Sequence, residues 1–135
     1  MESPKAGQIV YLLSTKDYYN RKNQIIDPSE AVLKSVGSKY YTVAPALDSP
    51  AWAQTKFEKA YPYRQKTDYM PETMLFFSVD AAIKSQEKRI LYTTIRSEIS
   101  NRQYSTYSLD ALRRIRAILD EEIDEELDRE LANSW

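Results

Sequence analysis

The apolar residues of this chain follow two rhythms, and the change comes near residue 78. Before it they cluster in short runs rich in β-branched and aromatic types: Ile9 to Leu13, Ala31 to Val36, Tyr40 to Ala44 and Met74 to Phe77. Runs of that length, bounded by Pro, Gly, Asp and Ser, are what strands need. After it, Val79, Ala82, Ile83, Ile90, Leu91, Ile95 and Ile99 recur at helical spacings, as do Leu109, Leu112, Ile115, Leu119, Ile123, Leu127 and Leu131. Each set is expected to make one apolar helix stripe. Strands first and helices second, without alternation, argue for an α+β chain.

A first strand is expected over 8–13, after the turn residues Pro4 and Gly7, and a polar loop over 14–23. Asp27-Pro28-Ser29 breaks the chain before a strand over 31–36. Val36-Gly37-Ser38-Lys39 reads as a tight hairpin turn into a strand over 39–44. Residues 55–63 are expected to form another strand, anchored by Phe57, Tyr61 and Tyr63, and 74–77 a last one. A helix over 78–101 is capped by Ser78 or Asp80 and ended by Ser100-Asn101-Arg102. Ser108 caps a final helix over 108–131, with Asp110 in its first turn. The expected product is a single domain over 1–135: a small barrel or curled antiparallel sheet in 1–77, then two C-terminal helices. So small a sheet has a face to bury and open edges. The helix at 79–99 is expected to cover it.

Composition removes much chemistry. The chain has 135 residues, no His, no Cys and two Gly. Zinc sites built on nitrogen or sulfur are excluded, as are Ser-His-Asp and Cys-His nucleophile systems. Two glycines make neither a phosphate loop nor a dinucleotide fingerprint. Carboxylate-plus-magnesium chemistry needs no His. However, Asp120, Asp124 and Asp128 project from one helix only, and a hard cation wants six or more converging oxygens. No catalytic residue, metal ligand or cofactor is therefore assigned, and the reading is of a binding protein rather than an enzyme. The apolar runs are far shorter than the ~20 residues that span a bilayer. The expected location is the cytoplasm, with no membrane partner.

What composition leaves is a division of charge. Residues 1–119 hold 18 of the 19 Lys/Arg and 12 of the 20 Asp/Glu, a net of +6; residues 120–135 carry −7. Like charges stacked at i, i+4 weaken a helix, and acids at its C-terminal end oppose the macrodipole. Stability alone would not select such a helix. Asp120, Glu121, Asp124, Glu125 and Asp128 are accordingly candidate contacts for a host protein with a basic surface. Leu119, Ile123, Leu127 and Leu131 give the same helix a dry side, for its own body or for a second copy in a homo-oligomer. The alternative site lies in two segments that interleave cations with aromatics, with Tyr18, Tyr19, Arg21 and Lys22 in one and Tyr63 and Arg64 in the other. Cations attract phosphates and aromatic faces stack bases, so these would serve a nucleic-acid-binding module.

Gly7-Gln8-Ile9-Val10-Tyr11, the Val36-Gly37-Ser38-Lys39-Tyr40 hairpin, Leu75-Phe76-Phe77-Ser78 and Leu109-Leu112-Ile115 occur in an order that resembles small bacteriophage-encoded β-barrel-like proteins, most of unassigned function. The resemblance implies an SH3-like barrel and a phage origin, hence the host cytoplasm. Family members usually carry a basic residue where Ser38 stands here. With the charge division, it implies an accessory protein acting by binding, as a host-takeover or anti-defence inhibitor. It carries over no active-site residue.

Overall fold

The computed structural model describes residues 3–122. Five antiparallel strands form one sheet in the order β4-β3-β2-β1-β5: β1 (Ile9–Ser14), β2 (Ser29–Val36), β3 (Tyr40–Ala44), β4 (Thr55–Glu58) and β5 (Thr73–Phe76). The sheet curls into a nearly closed barrel, and helices come after it, so the α+β expectation holds. Gly7, at φ 91°, turns the chain into β1, and its N–H donates to the Leu33 carbonyl at 2.8 Å. That conformation costs glycine little and other residues much. The Gly37 N–H donates to the Tyr40 carbonyl at 2.9 Å and closes the expected β2–β3 turn. A register shift between Leu33 and Ser35 is the local irregularity that helps a strand bend.

The barrel closes through a side chain. Residues 64–66 return alongside β4, where the Glu58 N–H donates to the Arg64 carbonyl and the Lys66 N–H to the Lys56 carbonyl, both at 2.8 Å. Beyond them lies β5. There the Gln65 Oε1 accepts the N–H groups of Glu72 at 2.9 Å and Thr73 at 3.0 Å. One amide thus spans the seam.

Alternation along the strands fills the interior with Val10, Ala31, Leu33, Tyr41, Val43, Phe57 and Leu75, joined by Leu12, Tyr63 and Phe77. Tyr41, Tyr63 and Phe77 meet edge to face, with centroids 5.0 to 6.1 Å apart, the arrangement aromatic quadrupoles favour. On the opposite side of β5 from Leu75, the one-turn helix α1 (Thr15–Tyr18) lays Tyr18 over Phe76. Ser14 caps α1 by accepting the Asp17 N–H at 3.0 Å. This turn occupies part of the stretch expected to be loop.

The strand expected over 55–63 ends at Glu58. Pro62 has no N–H to give a ladder, and Tyr63 adopts φ 57°, a left-handed conformation that turns the chain into the return segment 64–66.

Helix α2 (Val79–Asn101) begins at Ser78, whose Oγ accepts the Ala81 N–H at 3.0 Å. Only Ala82 and Gln86 of α2 are buried, while Leu91, Ile95 and Ile99 are exposed. The expectation of one continuous covering stripe is therefore corrected. At about 100° per residue, Leu91 lies about 180° around the helix from Ala82. Ile95 and Ile99 follow at about 220° and 260°, coming round the other side of the helix. The apolar residues are thus spread around the helix, and its first turns are held by Tyr18 of α1 and by Ile26 of the following loop.

The chain divides into two compact units at Ile90 and Leu91. In the second unit, a 3₁₀ turn over Tyr104–Thr106 separates the end of α2 from α3 (Leu109–Glu122). The Ser108 Oγ accepts the Ala111 N–H at 3.0 Å, as expected of an N-cap. From Leu91 to Glu121 no residue is buried. Among the described residues, no helix is long and apolar enough to cross a membrane.

Candidate nucleic-acid interface

The outer faces of β3 and β4, with the return segment beside them, carry several cations. Because Tyr41, Val43 and Phe57 point inward, alternation leaves Tyr40, Lys56 and Glu58 outside, with Thr42 on the same side but buried. The ladder pairs Tyr40 with Glu58 and Thr42 with Lys56. The return segment adds Arg64 and Lys66 on the far side of β4. The Lys66 Nζ lies 4.8 Å from the centroid of the Tyr40 ring. At the end of this strip the Lys59 N–H donates to the Lys39 carbonyl at 3.1 Å, but the Lys59 side chain leaves the strip, with its Nζ 5.8 Å from the ring centroid of the inward-pointing Tyr41.

Lys39, Lys56, Lys59, Arg64 and Lys66 make no ion pair with any described carboxylate. Glu58 is the one acid among the neighbouring strand residues, and it pairs with none of them. Lys34, by contrast, is engaged, with its Nζ donating to the Ser49 carbonyl at 2.6 Å. Lys56 stands between two shallow depressions. One, of 420 Å³, is lined by Ala51, Gln54, Thr55, Lys56, Gln65 and Lys66. The other, of 340 Å³, lies between the Gly37-Ser38 turn, Lys39, Tyr40 and Lys56. Trp52 sits in the 3₁₀ turn Ala51–Ala53 beside the first depression and is 87% exposed. An indole left in water can stack a base, and lysines on the neighbouring strand can hold phosphates.

The residues named from the sequence are placed differently from one another. Tyr18 is not available to a ligand, because it is 8% exposed and its hydroxyl donates to the Ser85 carbonyl at 3.1 Å and lies 2.8 Å from the Ser85 Oγ. Its apolar ring was needed to cover Phe76. Tyr19 is exposed and lies edge-on to Tyr18, with the Arg89 guanidinium 5.9 Å from its ring centroid. Arg21 and Lys22 are exposed on a turn organised by Asn20. The Asn20 Nδ2 donates to the Asp17 and Gln24 carbonyls at 2.7 Å, and its Oδ1 accepts the Gln24 N–H at 2.9 Å. Tyr63 packs against the core, which makes it a wall of the barrel, whereas Arg64 beside it belongs to the cationic strip. Of the acidic helix, Asp120 accepts from the Arg116 Nε at 3.2 Å and Glu121 is exposed. Asp124, Glu125 and Asp128 lie outside the described residues.

Sequence reasoning missed Trp52, Lys39 and Lys56. The alternation of Lys56, Phe57 and Glu58 signals which two side chains face outward. Nothing in the sequence pairs that strand with residues 64–66.

No curated protein and no solved structure shows significant similarity to the chain. The family model of the Phage ProQ C-terminal-like domain matches residues 1–122, which takes in every strand and both long helices as far as they are described. The match agrees with the resemblance to small phage-encoded barrels that the opening strand and hairpin carry. The chain belongs to the Phage ProQ C-terminal-like domain family.

Proposed function

We propose that this phage-associated protein is a single-stranded nucleic-acid-binding module that uses the outer β3–β4 face of its barrel. One observation carries the reading: Lys56, Arg64 and Lys66 lie on one outer strip with Lys39 at its end, without carboxylate partners among the described residues, and Trp52 is exposed in the turn that leads into β4. Unpaired cations on a rigid sheet lose little on meeting phosphates, and release of condensed counterions drives the association. Two shallow depressions with Lys56 between them suit a flexible strand better than a small molecule. The action is binding, not catalysis. The name of the family is consistent with a nucleic-acid-related role.

An inhibitor that offers its acidic helix to a basic host protein is the weaker reading. Asp120 already has Arg116 as its partner, and the cationic strip of the barrel would have no role in it.

The test is fluorescence anisotropy with labelled single-stranded and duplex RNA and DNA at low salt, followed by salt titration. The reading expects single strands to bind more tightly than duplexes, with steep weakening as salt rises. It also expects Trp52 fluorescence to quench on binding, with a Trp135→Phe background to isolate the signal. Absence of binding at low salt, or binding that Lys56→Ala and Lys66→Ala together leave unchanged, would overturn it.

A further inference from the structure

Thr42 carries a hydroxyl that the fold does not use. The residue lies in the middle of β3 and is 8% exposed, yet its Oγ1 makes no hydrogen bond with any described residue and is not wholly enclosed. An apolar side chain would fill that place without leaving an oxygen short of a partner. Thr42 pairs with Ser35 of β2 and with Lys56 of β4, and residues directly opposite in a ladder share a face. Ser35, Thr42 and Lys56 thus form one row across the outer side of the sheet. All three line the 340 Å³ depression beside the β2–β3 turn.

The lining of that depression is one-sided in its chemistry. Ser35, Ser38, Tyr40 and Thr42 bring hydroxyls, Lys39 and Lys56 bring ammonium groups, and no carboxylate lines it. None of the four hydroxyls has a hydrogen-bond partner among the described residues, and neither lysine has an ion pair there. Ammonium groups only donate, and hydroxyls can donate. Such a set suits a group rich in acceptor oxygens and negative charge. Inside a nucleic-acid strand, a phosphodiester offers two free oxygens and a single charge. A terminal phosphomonoester offers three oxygens and about −1.5 to −2 charges at pH 7.

The cationic track also stops here. From Lys66 it passes Lys56, which lines both depressions, to Lys39 at the turn. Past Ser35 come β2 and β1, whose only cation is Lys34, and the Ser49 carbonyl already accepts from its Nζ at 2.6 Å. A strand laid along the track reaches its last unpaired cations at this depression. We infer that the depression takes the terminal phosphate of a single strand, with Lys39 and Lys56 neutralising its charge and the Thr42 hydroxyl donating to one of its oxygens. The inference rests on the nucleic-acid reading and adds to it which part of the ligand is held at this place.

The test is competition against an internally labelled single strand, read by fluorescence anisotropy on the full chain. Unlabelled strands of one sequence end in a 5′-phosphate, in a 3′-phosphate or in hydroxyls at both ends. A fourth strand, hydroxyl-ended, is two nucleotides longer and so carries a comparable added charge. One of the phosphate-ended strands should compete about tenfold better than the longer strand, as expected when hydrogen bonds to a charged group are gained. Which of the two does so gives the direction in which the strand runs. Thr42→Val should bring that ratio down toward one and melt no earlier than the wild type, because valine keeps the branched shape and removes an oxygen without a partner. Equal competition by all four strands, or a phosphate advantage no greater than that of the longer strand, would overturn the inference and leave the nucleic-acid reading standing. A ratio that Thr42→Val leaves unchanged, or an earlier melt for that variant, would overturn it as well. Failure of the labelled strand to bind at all would take down both.

Discussion

Gln86, buried within α2, grips the main chain of Ile26 with both ends of its amide: its Oε1 accepts the Ile26 N–H, and its Nε2 donates to the Ile26 carbonyl, each at 2.8 Å. The Nε2 also donates to the Ala82 carbonyl at 3.2 Å. This clamp fixes the loop between α1 and β2 against the first turns of α2. Gln86→Leu keeps the volume but leaves the two Ile26 groups without their partner. Each such group costs about 1–3 kcal/mol where water cannot replace the bond. The variant should melt earlier in urea, with an unchanged m-value, by at least the lower figure.

Gln65→Ala should loosen the barrel seam. Two N–H groups at the entry of β5 lose their acceptor, at about 0.5–1.5 kcal/mol net for each bond. Amide hydrogen exchange at Glu72 and Thr73 should speed up more than exchange in the β1–β2 ladder. Equal acceleration everywhere would show that the side chain does not act locally.

Phe57→Ala should approach a loss of fold. Phe57 is fully buried at the centre of the interior cluster, and truncating a buried phenylalanine costs about 3–5 kcal/mol. Domains of this kind have about 5–15 kcal/mol in all. Circular dichroism against temperature should register the largest drop of any single substitution on β4.

Tyr18→Phe separates structure from recognition. The hydroxyl bonded to Ser85 should contribute about 0.5–1.5 kcal/mol to stability and nothing to nucleic-acid affinity. Its melting temperature should fall while its anisotropy titration overlays that of the wild type.

Lys56→Ala and Lys66→Ala should show the opposite pattern, with unchanged melting and weaker binding. For a single strand, each lost phosphate contact should lower the slope of log affinity against log salt by about 0.7. Trp52→Ala should weaken binding by about 1–3 kcal/mol, the range for one stacked base, with no change in that slope.

The sequence made local structure legible where one residue decides the outcome. Gly7 and Gly37 mark turns, Ser78 and Ser108 mark helix starts, and the β1, β2, β3 and β5 runs stand within two residues of where they were expected. Features set by contacts between distant segments were not legible. Gln86 looks like a solvent-facing helix residue until Ile26 comes beside it. Gln65 looks like loop until β5 lies across from it. Tyr18 reads as a surface aromatic because the need to cover Phe76 arises only once β5 has paired with β1. Along α2 the apolar spacings were read correctly one by one, but their slow rotation about the axis was lost in the run of separate intervals. For the candidate site, Arg64 was found because it sits in a visibly mixed segment, whereas Lys56 and Trp52 gain meaning only from the three-strand neighbourhood of β4.

Gln65 is at once the clasp of the barrel and part of the wall of the depression that holds Lys56 and Lys66. A polyanion resting there would press on the fastening itself. Loading that pocket and tightening the cylinder then become one equilibrium viewed from either end, so ligand should slow the breathing of β5, and mutations that unfasten the clasp should also loosen the grip on the ligand.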